Sequence, residues 1–105
     1  MLKAGTRAPE FTATLEDGST FDLASYRGKK HVVLYFYPKD FTGGCTAQAC
    51  SFRDNYSLIG KHDAVIVGVS GDSEASHTSF KDKYQLPFPL VADPGRRVHK
   101  LYEAV

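Results

Sequence analysis

Two uninterrupted runs of β-branched and aromatic residues constrain this chain more than any other feature: "HVVLYFY" at residues 31–37 and "AVIVGVS" at residues 64–70. Short apolar runs bounded by turn residues read as strands with both faces covered. The first is predicted to be the central buried strand of a sheet, ended by Pro38, which has no N–H to give to a ladder. The second stops at Gly71-Asp72. A third run, "PFPLVAD" at residues 87–93, is shorter and carries two prolines, which predicts a more peripheral strand.

What lies between these runs has helical period. From Cys45, the residues Ala49, Phe52, Tyr56 and Ile59 follow at offsets of four, seven, eleven and fourteen, one narrow stripe of a single helix. Ser73 is placed to cap a helix running to about Tyr84, with Glu74 in its first turn. Pro94 suits the first position of a third helix reaching Tyr102. Ahead of all this, residues 11–15 and 19–23 flank Asp17-Gly18 and read as a β-hairpin. Strands alternating with helices predict an α/β domain over residues 1–105, built on a mainly parallel sheet flanked by helices.

Composition removes several classes of function. Thirteen basic residues against twelve acidic leave a net charge of +1, which gives no argument for nucleic acid, an acidic partner or a membrane surface. No apolar stretch approaches a membrane span, and the start "MLKAGTRAPEF" carries no apolar leader, so the chain reads as cytosolic. In such a compartment its two cysteines, Cys45 and Cys50, are expected to be redox-active, catalytic or metal-binding rather than a structural staple.

Helix geometry narrows this further. Five residues along a helix turn it by about 500°, so Cys50 points roughly 140° away from Cys45 and lies about 7.5 Å further along the axis. The two Cα atoms then stand roughly 8–9 Å apart, beyond the limit of about 7 Å for a disulfide. The thiols are either independent or a pair that joins when the helix locally unwinds. Cys45 shares the inward stripe with Phe52 and Tyr56, while Cys50 faces the polar side near Asp54 and Ser57. A helix start favours a cysteine's thiolate form. Gly43-Gly44 lets backbone amides approach a small ligand, and Thr42 is placed either to cap the helix or to aim its hydroxyl at whatever the thiolate attacks. A structural zinc site needs four ligands, and His31, His62, His77 and His99 are scattered singly, each better read as a core or solvated residue.

The joint spacing of Pro38, Thr42 and Cys45 in "PKDFTGGC" resembles the Pro-x-x-x-Thr-x-x-Cys signature of peroxiredoxins. With Cys50 five positions on, "YFYPKDFTGGCTAQACSFRDNY" is similar to the peroxiredoxin Q group, also called bacterioferritin comigratory protein. The resemblance extends to "AGTRAPEFTATLEDG", "VGVSGDSEASHTSFKDKYQLPFPLVAD" and "VHKLY", essentially the whole chain. It implies a thioredoxin-like fold and thiol-dependent reduction of hydrogen peroxide and organic hydroperoxides. By motif, Cys45 would be the peroxidatic cysteine, Thr42 would hydrogen-bond the incoming peroxide, and Pro38 would shield the resulting sulfenic acid. Cys50 would be the resolving cysteine, closing an intramolecular disulfide that a thioredoxin or glutaredoxin-like reductant reopens. No metal, haem, flavin or other cofactor is implied, and neither nucleic acid nor membrane is a partner. The implied setting is the cytoplasm, or the chloroplast if a transit peptide has been removed.

Two features depart from that pattern. Gly43 stands where the group usually has proline, which loosens the loop ahead of the helix. The resembling proteins also continue past the equivalent of Val105 with two strands, a C-terminal helix and an arginine that polarises the peroxide. Arg53, Arg96 and Arg97 do not match that arginine. The chain therefore reads as truncated at its C-terminus, and as a monomer whose strand at residues 31–37 would be an unpaired edge open to association. A thiol–disulfide reductase shares the fold and the helix-start cysteine but prefers Cys-x-x-Cys. A non-catalytic redox-sensing or interaction protein is the other reading that a short chain leaves open.

Overall fold

A computed structural model of the protein describes residues 3–104. Its five strands form one mixed sheet in the order β2-β1-β5-β4-β3. The hairpin is β1 (Thr12–Leu15) against β2 (Thr20–Asp22), antiparallel, with Gly18 at φ 85° in the turn as the Asp-Gly pair requires. The strands β3 (His31–Phe36), β4 (Ala64–Ser70) and β5 (Leu90–Ala92) run parallel to one another, and β1 joins β5 antiparallel.

Alternation along these strands fills two cores. Tyr35, Ile66 and Leu90 face one side, where they meet Cys45 and Ala49 of α1 (Gly43–Asp54), Tyr56 and Ile59 of α2 (Tyr56–Lys61), and Phe80 of α3 (Glu74–Tyr84). Val67, Val69 and Val91 face the other, against Phe11, Phe21 and Val98 of α4 (Arg97–Leu101). The expected stripe of Cys45, Ala49, Phe52, Tyr56 and Ile59 does lie on one core, but it spans two helices instead of one. The break falls at Asn55, whose side-chain amide and backbone N–H both donate to the carbonyl of Ser51.

Two expectations about the sheet are reversed. The strand at residues 31–37 is not central, as its apolar run alone suggested; β3 is an edge of the described sheet, as the departure from the resembling family implied, and Val33 is 41% exposed. The run at residues 87–93 is not peripheral: β5 is the middle strand. Continuous apolarity reports covered faces, and it does not say whether a strand's edges are paired. The prolines of the third run sit ahead of the ladder, where Pro89 contributes its carbonyl to the Gly68 N–H and no donor is needed. A third correction concerns Pro94, which forms a turn with Gly95 and leaves α4 to begin at Arg97. The cap comes from Asp93, whose carboxylate accepts the N–H groups of Val98 and His99. By contrast, Ser73 caps α3 as expected by accepting the Ser76 N–H at 3.1 Å.

Gly68 sets how closely the first core packs. It lies opposite Tyr35 on β3 and Leu90 on β5, and a Cβ there would stand 2.8 Å from Leu90 Cδ2 and 3.0 Å from the Tyr35 ring. Gly68→Ala is therefore expected to destabilise the protein by about 1–3 kcal/mol, read as a lower denaturant midpoint.

Candidate active site

The loop from β3 to α1 leaves the sheet at the C-terminal ends of the parallel strands, where open α/β sheets place their sites. Tyr37 is held to β4 by its N–H on the Val69 carbonyl, and Pro38 then prevents any further pairing. After Asp40, Phe41 adopts φ 66°, a left-handed conformation uncommon for an aromatic residue. Its ring rests against Phe80 at 5.2 Å between centroids, and the Lys83 ammonium lies 5.9 Å from it. Thr42 then turns the chain into α1.

Cys45 is the third residue of α1 and is 8% exposed, packed with Tyr35, Tyr37 and Ala49. The first intrahelical bond of α1 is made by Thr46 N–H on the Thr42 carbonyl at 2.9 Å. The amides of Gly43, Gly44 and Cys45 precede it and have no partner within the helix, so this turn offers donors for developing negative charge. Thr42 does not cap the helix with its side chain. Its hydroxyl donates to the Lys39 carbonyl at 3.1 Å, which leaves the oxygen free to accept.

Cys50 is half-buried on the other side of α1, and both thiols are free. Because α1 is unbroken between them, the separation of roughly 8–9 Å derived from helix geometry applies to this state. Pro38 is exposed and lines a cavity of about 230 Å³ with Phe36, Tyr37, Arg96, His99 and Ala104; neither Cys45 nor Thr42 is in its wall. The structure thus brings Cys45 and Thr42 into one turn, places Pro38 at the head of the same loop, and holds Cys50 apart. Of the arginines, Arg96 shares the cavity beside Pro38, while Arg53 joins α1 to the Tyr84 carbonyl at the end of α3 and Arg97 donates to the Thr12 carbonyl.

Sequence reasoning missed the group that fastens this loop. Asp40 is 3% exposed, and its carboxylate accepts from Tyr37 Oη at 2.6 Å and Ser76 Oγ at 2.8 Å, and meets His77 Nδ1 at 2.7 Å. Its backbone N–H donates to Asp72 Oδ2 at 2.6 Å. His77 is fully buried, which settles it as core between the two roles left open, and its Nε2 lies 3.0 Å from the Val91 carbonyl. Burial alone would push the Asp40 carboxyl up, but hydrogen bonds from His77, Tyr37 and Ser76 outweigh it and hold the group below its usual range. Burial would likewise lower His77, yet the bond to Asp40 and its charge prevail and raise it. The two form a buried ion pair. Tyr37 is pushed up strongly, first by burial and then by donating to Asp40, so it stays a donor. Tyr35 is also raised, by burial and by the charges of Asp40 and Cys45, and its buried hydroxyl has no partner. The available signal was slight: Asp40 lies inside the quoted "PKDFT", and Ser76-His77 open α3, with nothing local to pair them.

Among the described residues, no three or more His, Cys, Asp or Glu side chains are grouped to hold a metal ion. Residues 4–105 match the model of the AhpC/TSA family. The chain is 50% identical over 99 residues to the chloroplastic peroxiredoxin Q of Oryza sativa subsp. japonica, covering 94% of this chain and 45% of that protein. To the peroxiredoxin Bcp of Bacillus subtilis it is 48% identical over 103 residues, 98% of this chain and 63% of that protein. It thus spans about half the length of the plant relatives it matches. Among solved structures, peroxidoxin BcpB from Mycobacterium tuberculosis superposes with a TM-score of 0.94 at 29% identity, over 98% of this chain and 67% of that one. Xanthomonas campestris peroxiredoxin Q superposes at 0.85 with 34% identity, over 89% of this chain and 58% of that one. The fold is the mixed α/β, thioredoxin-like one that these proteins share.

Proposed function

The chain belongs to the AhpC/TSA family, and on that premise we propose that it reduces hydrogen peroxide and organic hydroperoxides through Cys45. The observation that carries this reading is the placement of Cys45 in the first turn of α1, behind three amides with no helical partner and beside the Thr42 hydroxyl. In the proposed reaction the Cys45 thiolate attacks one peroxide oxygen and the O–O bond breaks. The sulfur leaves as sulfenic acid, and the other oxygen departs as water or alcohol after taking a proton. The Thr42 oxygen accepts from the peroxide O–H and aligns it, the unpaired amides stabilise the departing charge, and Pro38 limits solvent access to the oxidised sulfur.

Resolution falls to Cys50. Its thiol displaces hydroxide from the sulfenic acid, releasing water and forming the disulfide, and a dithiol reductant of thioredoxin or glutaredoxin type returns both thiols by exchange. Closure requires the first turns of α1 to unwind, because the intact helix keeps the sulfurs' Cα atoms beyond bonding reach. The proposed working unit is a monomer, with β3 as the edge at which a second chain would add. Plant relatives named chloroplastic and a bacterial relative fit either a plastid or a cytoplasmic setting.

Cys50→Ser separates the two steps. It is expected to keep the rate of the first oxidation within about twofold of the parent, since Cys50 lies outside the attacking turn. Mass analysis should then show one added oxygen in place of the two hydrogens lost on closure. A variant that still forms the intramolecular product would remove Cys50 from its role.

A further inference from the structure

Nothing in the proposed chemistry at Cys45 uses the buried pair of Asp40 and His77, yet the loop carrying Thr42 and Cys45 is tied down through it. One carboxylate five residues ahead of Cys45 gathers donors from the end of β3 (Tyr37) and from α3 (Ser76 and His77), and His77 extends the tie to β5 through the Val91 carbonyl. The residue after Asp40 shows that the loop's shape is imposed: Phe41 holds φ 66°, a conformation that persists in an aromatic residue where its surroundings overrule it. We propose that Asp40 and His77 are the positioning pair of the Cys45 loop, holding the first turn of α1 for attack while joined and releasing it for closure onto Cys50 when parted. This rests on the peroxidase reading above.

The hydrogen-bond chemistry makes the pair sensitive to one proton. A carbonyl can only accept, so His77 Nε2 carries a proton toward Val91. With Nε2 so fixed, Nδ1 donates to Asp40 only if His77 is doubly protonated. A ring that loses one proton has a single N–H for two acceptors, so a nitrogen lone pair then faces either the Asp40 carboxylate at 2.7 Å or the Val91 carbonyl at 3.0 Å, and one of the two ties gives way. The charged and titratable groups around the pair all bear on this state. Asp72 at the turn after β4 is a second acid and favours the proton, as Asp40 does. Tyr37 and Tyr35 of the β3 segment are neutral phenols, and Cys45 of α1 adds negative charge when ionised. The pair is expected to part as pH rises above the ordinary histidine range.

The cycle needs opposite loop states in its two steps, and this gives the proposal a signature that a merely structural defect lacks. Oxidation of Cys45 by one equivalent of hydrogen peroxide and the following closure are timed for the parent, His77→Gln and Asp40→Asn between about pH 5 and 9. Amide exchange at Thr46, corrected for its intrinsic rate, provides a readout that uses no peroxide. His77→Gln keeps a donor for Val91 but has none at the Asp40 position. It is expected to slow Cys45 oxidation about tenfold while speeding closure and Thr46 exchange by a similar factor. Thr46 exchange in the parent should approach that of His77→Gln as pH rises. Asp40→Asn, which keeps the shape and can donate to a neutral imidazole, should hold the loop and lose the pH dependence of Thr46 exchange.

Slowing of both steps alike in His77→Gln would overturn the proposal. So would Thr46 exchange that ignores pH in the parent. Should His77→Gln fail to fold, the Thr46 exchange profiles of the parent and Asp40→Asn decide alone: parallel profiles refute the pair, and a flat profile only in Asp40→Asn supports it. Slow peroxide consumption by the parent, with the exchange results as expected, would sustain the pair as the loop's anchor and end the peroxidase reading instead.

Discussion

Cys45→Ser is expected to stop peroxide consumption, a loss of several orders of magnitude of the kind that follows removal of a covalent nucleophile. The substitution exchanges sulfur for oxygen at a side chain that is 8% exposed and sits among Tyr35, Tyr37 and Ala49. Its structural cost is small, on the order of 1–2 kcal/mol for placing a hydroxyl in an apolar pocket. The lost activity would therefore be chemical, because an alcohol at this site is not ionised and does not displace at a peroxide oxygen. The check is peroxide consumption by a variant whose denaturation curve stays close to the parent's. Full turnover by Cys45→Ser would end the assignment of this cysteine, and with it the mechanism.

The second large effect concerns stability. His77→Ala leaves the Asp40 carboxylate buried without its cation, and breaking a buried pair in this way costs about 3–5 kcal/mol. That is a large share of the roughly 5–15 kcal/mol that holds a domain of this size together. The double variant Asp40→Asn/His77→Asn removes both charges and is expected to lose much less than the single substitution. The pair also sets the pH dependence of stability. The folded Asp40 lies below its ordinary value of 3.8, so its contribution is present above that pH and is lost as pH falls through the lowered value. The folded His77 lies above 6.5, so its contribution is complete below that pH and is lost as pH rises through the raised value. Stability should be highest between these limits and decline on both sides. Urea unfolding across this range tests the sign, and a parent whose stability climbs through pH 7 and above would contradict it.

The sequence was most legible where a local rule acts alone. The run at residues 64–70 became β4 without shifting at either end, and Ser73 with Glu74 placed the start of α3, because an apolar run and a hydroxyl cap are both local signals. The Asp-Gly turn likewise produced the hairpin. What failed was the order of strands. The apolar runs alone put β3 at the centre and β5 at the periphery, the reverse of what is seen, since apolar pattern reports covered faces while strand order depends on which edges meet; only the comparison with the resembling family marked β3 as an edge. Pro94 was read as a helix start although the capping carboxylate one residue earlier, Asp93, also needs a turn in which to reach Val98 and His99.

At the candidate site, the positions of Pro38, Thr42, Cys45 and Cys50 along one loop and one helix were legible because a short motif spaces them, and their roles belong to the proposal. Asp40 and His77 were not, because they lie 37 residues apart and pair only once α3 folds over the loop. A lone buried histidine has no sequence signature that separates a packed ring from an ion pair. That distinction required the acceptors at both ring nitrogens.

The most direct test of the account is the rate at which the fully reduced protein consumes one equivalent of hydrogen peroxide, with mass analysis of the product. The expected result is consumption orders of magnitude faster than by a simple thiol, with loss of two hydrogens as Cys45 and Cys50 join. Consumption at a simple thiol's rate would contradict it: the turn that presents Cys45 would then not activate it, and the chain would not act as a peroxidase.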